Sequence, residues 1–422
     1  MMARRHTGLL TLAAVFCLAV PAFAQEIPGR TLSSLLDYAR DNNPEYAAMR
    51  HEATAAEERI TPAGSLADPK FRTEFRDITR MGEQNATLAP NRVGSTRYLL
   101  MQDLPWYGKR DLKQGIAELE AEAAHGRARG TWAELAAKLK ATHAQRYFVQ
   151  QNTSLAQEVL ALMQQLEKIA QARYAGGVAA QQDVIRAQVE QTAMHNELIA
   201  LENEGKLLHA RMNALLSRPI NARLADAEQP RALPKPARLD FSELEDRVRG
   251  RNPQLFAEEA KIKAAEKSRD LTYKNRYPDF TVGVSPIQYQ SAVKEWELMV
   301  EINIPLQQAS RRAQERESEA MLSAARARKE AAANQILADL AENLAAIEAA
   351  RHSELLASTR LLPQAELSFK SALAGYENGK VDFATLLDAQ RQIRLARQSQ
   401  LKAQTDAQMR LVDVEKLLGE DL

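Results

Sequence analysis

The residue types best able to do chemistry are present in this 422-residue sequence, but they are not arranged to do it. The seven histidines are scattered, and none pairs at i, i+4 with another histidine or a carboxylate in a metal-ligand pattern. No glycine-rich loop is built to cradle a phosphate, and the eleven methionines do not cluster as a copper relay would require. Acidic pairs are abundant, yet on charged helices such pairs are ordinarily solvated faces. The only cysteine, Cys17, sits in an apolar run near the start. The sequence therefore implies no enzyme, no cofactor and no resident metal. What stands out instead are two glycines, Gly177 and Gly379, placed where a tight inter-helix turn needs a positive φ or a close approach.

The first residues indicate the compartment. Arg4 and Arg5 precede an apolar run from Leu9 to Val20, and Pro21-Ala22-Phe23-Ala24 offers the small residues that signal peptidase requires. Residues 1–24 read as a secretory signal peptide cut before Gln25, its apolar stretch too short for a membrane span. Val15 and Phe16 before Cys17 are wrong for a lipid-attachment site, so the mature chain is expected to contain no cysteine. No later run of about 18 apolar residues follows, and a membrane role would have to come from strands. Charges nearly balance at +1, which argues against a nucleic-acid partner.

The sequence also says the same thing twice. Asn43-Pro44 answers Asn252-Pro253, and Pro69-Lys70-Phe71 answers Pro278-Asp279-Phe280, each 209 positions later. Leu104-Pro105 answers Ile304-Pro305. Tyr174, Gly177 and Leu215-Leu216 answer Tyr376, Gly379 and Leu417-Leu418 at an offset of 202. The order predicts a first repeat over 25–217 and a second over 240–422, joined by a proline-rich linker at 218–239. Each repeat opens with a helix broken at its Asn-Pro, then two extended segments (about 69–104 and 278–304), then a helical hairpin (about 108–217 and 306–419).

The extended segments alternate. Phe71, Thr73 and Phe75 oppose Arg72, Glu74 and Arg76, while Trp296, Leu298, Val300 and Ile302 oppose Glu295, Glu297, Met299 and Glu301. Period two with one charged face fits a soluble hairpin and a water-filled membrane barrel equally well. Gln102 breaks the apolar side of the second segment. The helical stretches carry sustained heptads: Val184, Ala187, Gln191, Met194, Leu198, Leu201, and again Leu386, Ala389, Ile393, Ala396, Gln400, Ala403. Small seam residues imply close, shallow packing between long helices that need partners.

Strand pair, long helix, tight turn and returning helix, all duplicated, resemble the TolC-like outer-membrane efflux family over most of the mature chain. The run Gln102-Asp103-Leu104-Pro105-Trp106-Tyr107-Gly108-Lys109 resembles the strand-to-helix junction of its heavy-metal (cation efflux) branch. Tyr174–Ala179 and Tyr376–Val381 resemble the two turns at the periplasmic tip. The resemblance implies a mainly α protein with a membrane β-barrel: a homotrimer closing a twelve-stranded barrel, continued by a periplasmic α-barrel. It implies a passive exit duct in the outer membrane of a Gram-negative cell, with a periplasmic adaptor and an inner-membrane RND-type pump as partners, and outer-membrane lipid around the barrel. Gly177, Val178, Gly379, Lys380 and Val381 would then be adaptor-docking tips, or turn residues alone. Asp388 would give a carboxylate ring at a periplasmic gate, or be a solvated helix-surface acid. Asp183 and Tyr376 would hydrogen-bond across neighbouring helices at that gate, although Thr385 and Val381 replace an acidic residue and an arginine of the family pattern. Trp106, Tyr107 and Trp296 fit an interfacial girdle, and junction packing accounts for the first two equally well.

Heavy-metal cations are the cargo this resemblance favours, with drug efflux or type I protein secretion as the same duct in other service. A periplasmic coiled-coil adaptor or scaffold is the alternative of another class, but it would carry a single hairpin flanked by small β-domains. N-terminal sequencing of the protein purified from membranes is expected to begin at Gln25; an intact Met1 would remove the case for export.

Overall fold

A computed structural model describes residues 31–227 and 231–422; the signal-peptide reading and Cys17 lie outside the described residues. The first repeat contains α1 (Leu32–Asn42), α2 (Pro44–Glu58), α3 (Ile60–Gly64), β1 (Lys70–Arg76), β2 (Ser95–Leu104), α4 (Lys109–Ala175) and α5 (Gln181–Leu215). The second contains α6 (Phe241–Arg251), α7 (Pro253–Lys274), β3 (Asp279–Tyr289), β4 (Ala292–Asn303), α8 (Gln308–Leu356), α9 (Leu362–Glu377) and α10 (Phe383–Leu418). With 67 residues at 1.5 Å each, α4 is a rod roughly 100 Å long.

The two Asn-Pro pairs do the same work. Asn43 and Asn252 leave helical geometry at ψ 120° and 123°, as the following proline demands. Each side chain caps the next helix: Tyr46 N donates to Asn43 Oδ1 at 3.1 Å, and Leu255 N to Asn252 Oδ1 at 2.9 Å. Each amide then donates to a carbonyl at the end of the returning helix, Asn43 to Leu215 at 2.9 Å and Asn252 to Leu417 at 2.7 Å. The repeated Asn-Pro and the repeated Leu-Leu thus meet in space.

The four strands form one antiparallel sheet in the order β1-β2-β3-β4, so β2 and β3 join the two repeats. Register places Phe71, Leu100, Val284 and Leu298 side by side across the sheet. Pro286 pairs with Trp296, Val282 with Val300, and Phe280 with Ile302 on the same face. This face is apolar and open: Trp296 is 71% exposed and Leu298 79%. The opposite face is polar and cross-linked. Arg97 donates through Nε to Ser285 Oγ at 3.0 Å and pairs with Glu297 at 2.8 Å, and Lys70 meets Asp103 at 2.7 Å. Gln102, the misfit on the apolar side, sits near the helical end of β2. Its amide there donates to Ala67 O at 2.8 Å.

Strand passes to helix at Trp106–Lys109. The Trp106 ring stacks on Tyr277 (5.1 Å) and Phe280 (5.9 Å), which makes it a junction residue; Tyr107 is exposed. Gly108 has φ +78°, a left-handed conformation that favours glycine. Lys109 is buried and donates to Asp279 Oδ1 at 2.8 Å and Tyr277 O at 3.1 Å, tying the start of α4 to the start of β3.

The hairpin α4–α5 packs against α8–α10. Heptad positions read from the sequence are the ones that go inside: Ala187, Met194, Leu386, Ala389, Ala396 and Ala403 are all buried. The second hairpin is not a copy of the first, because α8 and α9 meet through a π-helical turn at Ala357–Leu361 just before Pro363. Proline lacks an N–H and displaces the carbonyl one turn back; widening the turn accommodates it. Midway along α4, Lys140 Nζ lies 2.6 Å from the buried Glu415 carboxylate of α10 and also pairs with Asp421. Arg231 of the linker pairs with the same Glu415 and donates to Leu422 O at 2.8 Å. The linker is thereby strapped across both hairpins.

Replacing Glu415 by Ala leaves Lys140 and Arg231 without their shared carboxylate. A loss of about 3–5 kcal/mol is expected, as for one partner removed from a buried ion pair. The measurement is thermal unfolding in detergent together with limited proteolysis at the linker; an unchanged profile would show that the strap does not hold the hairpins.

Candidate functional site: the hairpin tips

The two inter-helix turns lie at the end of the helical part away from the sheet, and their backbones match. After Ala175, Gly177 N donates to Tyr174 O (2.9 Å) and Val178 N to Arg173 O (3.0 Å). After Glu377, Gly379 N donates to Tyr376 O (3.0 Å) and Lys380 N to Gly375 O (2.8 Å). Both are six-residue helix-ending motifs with glycine left-handed at φ +69°, which a side chain would strain. Val178, Gly379 and Lys380 are exposed and Val381 partly so. Val381 folds back onto Gly375, where a Cβ would come within 2.5 Å of its side chain.

The cross-helix contact expected of Tyr376 and Asp183 is formed within one chain. Tyr376 is 2% exposed on α9, and its hydroxyl lies 3.4 Å from Asp183 Oδ2 in the first turn of α5. That is a long hydrogen bond. Burial first, and then the Asp183 charge, push the phenol pKa upward, so Tyr376 stays neutral. Arg173, which the sequence did not single out, completes the group. Its guanidinium stands over the Tyr376 ring at 4.8 Å and donates to Glu377 O at 2.8 Å, tying α4 to the second turn. Its equivalent in the second repeat is Gly375, and that asymmetry was the available signal.

Below this group Phe383 is fully buried, 5.3 Å from the Tyr376 ring, in a core shared with Leu166, Ala170, Ala187, Leu386 and Leu387. Asp382 caps α10 by accepting from Thr385 N at 2.9 Å; the Thr385 bonds, side chain and then backbone, hold its carboxyl below the usual range. Thr385 therefore belongs to a cap. Asp388 is exposed one turn further on, accepting from Gln392 Nε2 at 3.0 Å, and it does not touch Asp183 or Tyr376. Within one chain the three residues expected at the gate thus divide into a linked pair and a separate exposed acid. Among the described residues no group of three or more His, Cys, Asp or Glu is placed to hold a metal ion, and no helix is long and apolar enough to cross a membrane.

A sheet with one open apolar face, prolonged by two duplicated helical hairpins, is the protomer fold of outer-membrane efflux channels. Residues 244–420 match the family described as Outer membrane efflux protein. The chain is 26% identical over 405 residues to the cobalt-zinc-cadmium resistance protein CzcC of Cupriavidus metallidurans, covering 95% of this chain and 93% of that one. Its fold is that of the outer membrane protein VceC of Vibrio cholerae: TM-score 0.78 at 17% identity, covering 92% of this chain and 96% of that one. CusC, described with its transmembrane channel formation, gives TM-score 0.78 at 16% identity over 94% and 96% of the two chains. The resemblance to the TolC-like outer-membrane efflux family and its heavy-metal branch is thereby borne out. The second repeat carries the family's sequence pattern, and the described chain carries its fold.

Phe383→Ala empties the densest part of the tip and is expected to cost about 3–5 kcal/mol locally. Hydrogen exchange at residues 362–395 should rise while the sheet stays protected. Tyr376→Phe keeps the ring under Arg173 and removes only the long bond to Asp183. It should leave exchange nearly unchanged, within about 1 kcal/mol; a loss as large as that of Phe383→Ala would mean the hydroxyl, not the core, holds the tip.

Proposed function

We propose that three copies of this chain form a passive exit duct through the outer membrane and periplasm, serving a tripartite efflux system for heavy-metal cations. The open apolar face of the sheet carries this reading. Phe71, Leu100, Val284, Leu298 and Trp296 form a contiguous surface that lipid would cover, while the charged face would line a water-filled lumen. Edges β1 and β4 lack strand partners among the described residues, and a ring of copies supplies them. Similarity to CzcC, a cobalt-zinc-cadmium resistance protein, supports metal cations as cargo.

In this reading a periplasmic adaptor docks on the tips at Gly177, Val178, Gly379, Lys380 and Val381, and links the duct to an inner-membrane pump of the RND type. Three copies of Asp388 form a carboxylate ring that attracts cations at the aperture, and the Asp183–Tyr376 pair steadies the helices behind it. The duct provides passage, and the pump and adaptor choose the substrate. No residue of the chain is assigned a catalytic role.

Membrane fractionation followed by detergent-corrected light scattering should give an outer-membrane trimer; a periplasmic monomer would sink the duct. In planar bilayers, Asp388→Asn should lower cation-over-anion selectivity roughly threefold or more, read as a shift of reversal potential. An unchanged potential would return Asp388 to a solvated helix surface.

A further inference from the structure

The first repeat leaves a cleft open where the second is filled. It lies partway along α4, between α4, α5 and the chain segment that follows α5, with a volume of about 650 Å³. Gly205, Lys206 and His209 line it from α5. Their equivalents 202 positions on are Ala407, Gln408 and Leu411, all buried. The void beside Gln408 and Leu411 is only about 20 Å³. The segment that walls the open cleft is held in place. His209 Nε2 donates to Ala222 O at 2.8 Å, and Asn213 Nδ2 donates to Ile220 O at 2.9 Å and Ala222 O at 2.8 Å.

One cation at the wall of this cleft is half answered. Arg146 of α4 donates through Nη2 to Ala225 O at 2.8 Å, but its buried Nη1 has no partner among the described residues. Burial pulls the guanidinium pKa down and the Asp226 charge pushes it up, yet Nη1 makes no hydrogen bond to that carboxylate. Arginine stays charged, and a buried donor on a charged group is costly to leave unmade. Asp226 is exposed and lines the same cleft, whose apolar wall is Val149, Leu201 and Ile220. Glu202 and Lys206, also at the cleft, pair with each other at 2.7 Å. The charges of the lining therefore cancel.

We propose that this cleft binds a small zwitterion of the α-amino-acid class, its carboxylate on Arg146 Nη1, its ammonium towards Asp226 and an apolar side chain against Val149, Leu201 and Ile220. A carboxylate supplies the acceptor that Nη1 lacks, in a charge-assisted bond. The ammonium gives Asp226 a counter-charge of its own. Inorganic phosphate would bring net negative charge to a lining whose charges cancel, whereas a zwitterion brings none. The cleft has the size of an ordinary small-molecule site. A bound zwitterion would tie the segment at 220–226 to α4, through the same guanidinium that already holds Ala225 O. This site is independent of the duct reading, since all its walls come from one chain.

The probe is 4-fluoro-L-phenylalanine added to the full chain extracted in detergent, read by fluorine NMR line broadening. Saturable binding in roughly the millimolar range is expected, as for a ligand of this size, with displacement by L-phenylalanine. 3-Phenylpropionate, which lacks the ammonium, and 2-phenylethylamine, which lacks the carboxylate, should compete more weakly, the amine by about tenfold or more. Equal competition by either would overturn the zwitterion, and so would equal competition by inorganic phosphate. Arg146→Gln keeps a donor for Ala225 O and removes the charge, and it should weaken binding by about tenfold or more. Asp226→Asn, at an exposed residue, should weaken it by about threefold with the helical circular dichroism unchanged, which keeps the test standing if Arg146→Gln does not fold. Broadening that is the same in the parent and in Asp226→Asn, as partition into detergent would give, would overturn the inference, as would no broadening at all.

Discussion

A four-stranded sheet with an apolar face and two unpaired edges cannot stay as it is in water. Every other feature answers that constraint. Side chains alternate, and the register across four strands collects Phe71, Leu100, Val284 and Leu298 on one surface and Arg97, Glu297, Asp103 and Lys70 on the other. The apolar surface calls for lipid. In the proposed duct, further copies would pair with the edges and enclose the charged surface around water. Because β2 pairs with β3, the strand pairs of the two repeats share one sheet. The duplication is thus one structural unit rather than two domains side by side.

The helical part inherits its direction from the sheet. Each long helix must leave a strand at a fixed angle, and the Trp106–Lys109 junction fixes it with a stack, a left-handed glycine and a buried lysine. Lys109 is nearly desolvated, which is tolerable only because Asp279 and the Tyr277 carbonyl take its charge. The same economy recurs at the linker, where one carboxylate, Glu415, answers both Lys140 and Arg231. Charge is buried in this protein where elements must be held at one angle, and small apolar residues serve where they only need to lie close.

Much of this could be read from residue order. The heptad seams, the breaks at Asn43 and Asn252 and the turns at Gly177 and Gly379 are local requirements of backbone and packing, so spacing reveals them. That Asn43 would reach the end of α5, and Asn252 the end of α10, was legible only as two repeated motifs with no stated link. Arg173 showed only as a mismatch with Gly375 in the second repeat, since a lone cation on a charged helix reads as solvated until the opposite turn is in place. Glu415 and Lys140 are 275 positions apart and announce themselves by nothing local. The π-helical turn had a signal in Pro363, a proline inside a helical run, but proline alone does not say how the turn will absorb it. Asp388 and the Asp183–Tyr376 pair, read in sequence as an aperture acid and a cross-helix bond, do not touch within the chain.

A 67-residue helix fastened near its middle is a lever. Lys140 holds α4 to α10 and the linker about 50 Å from either end at 1.5 Å per residue. One arm is fixed by the junction at Lys109, and the other runs to Arg173 packed in one core with α5, α9 and α10. Turning the outer arm by about 5° about that fulcrum would carry its tip roughly 4 Å, far more than side-chain rearrangement at the turn could supply. Small strains at the waist of the molecule, where linker and chain end are fastened, are therefore magnified at the end that carries the two inter-helix turns.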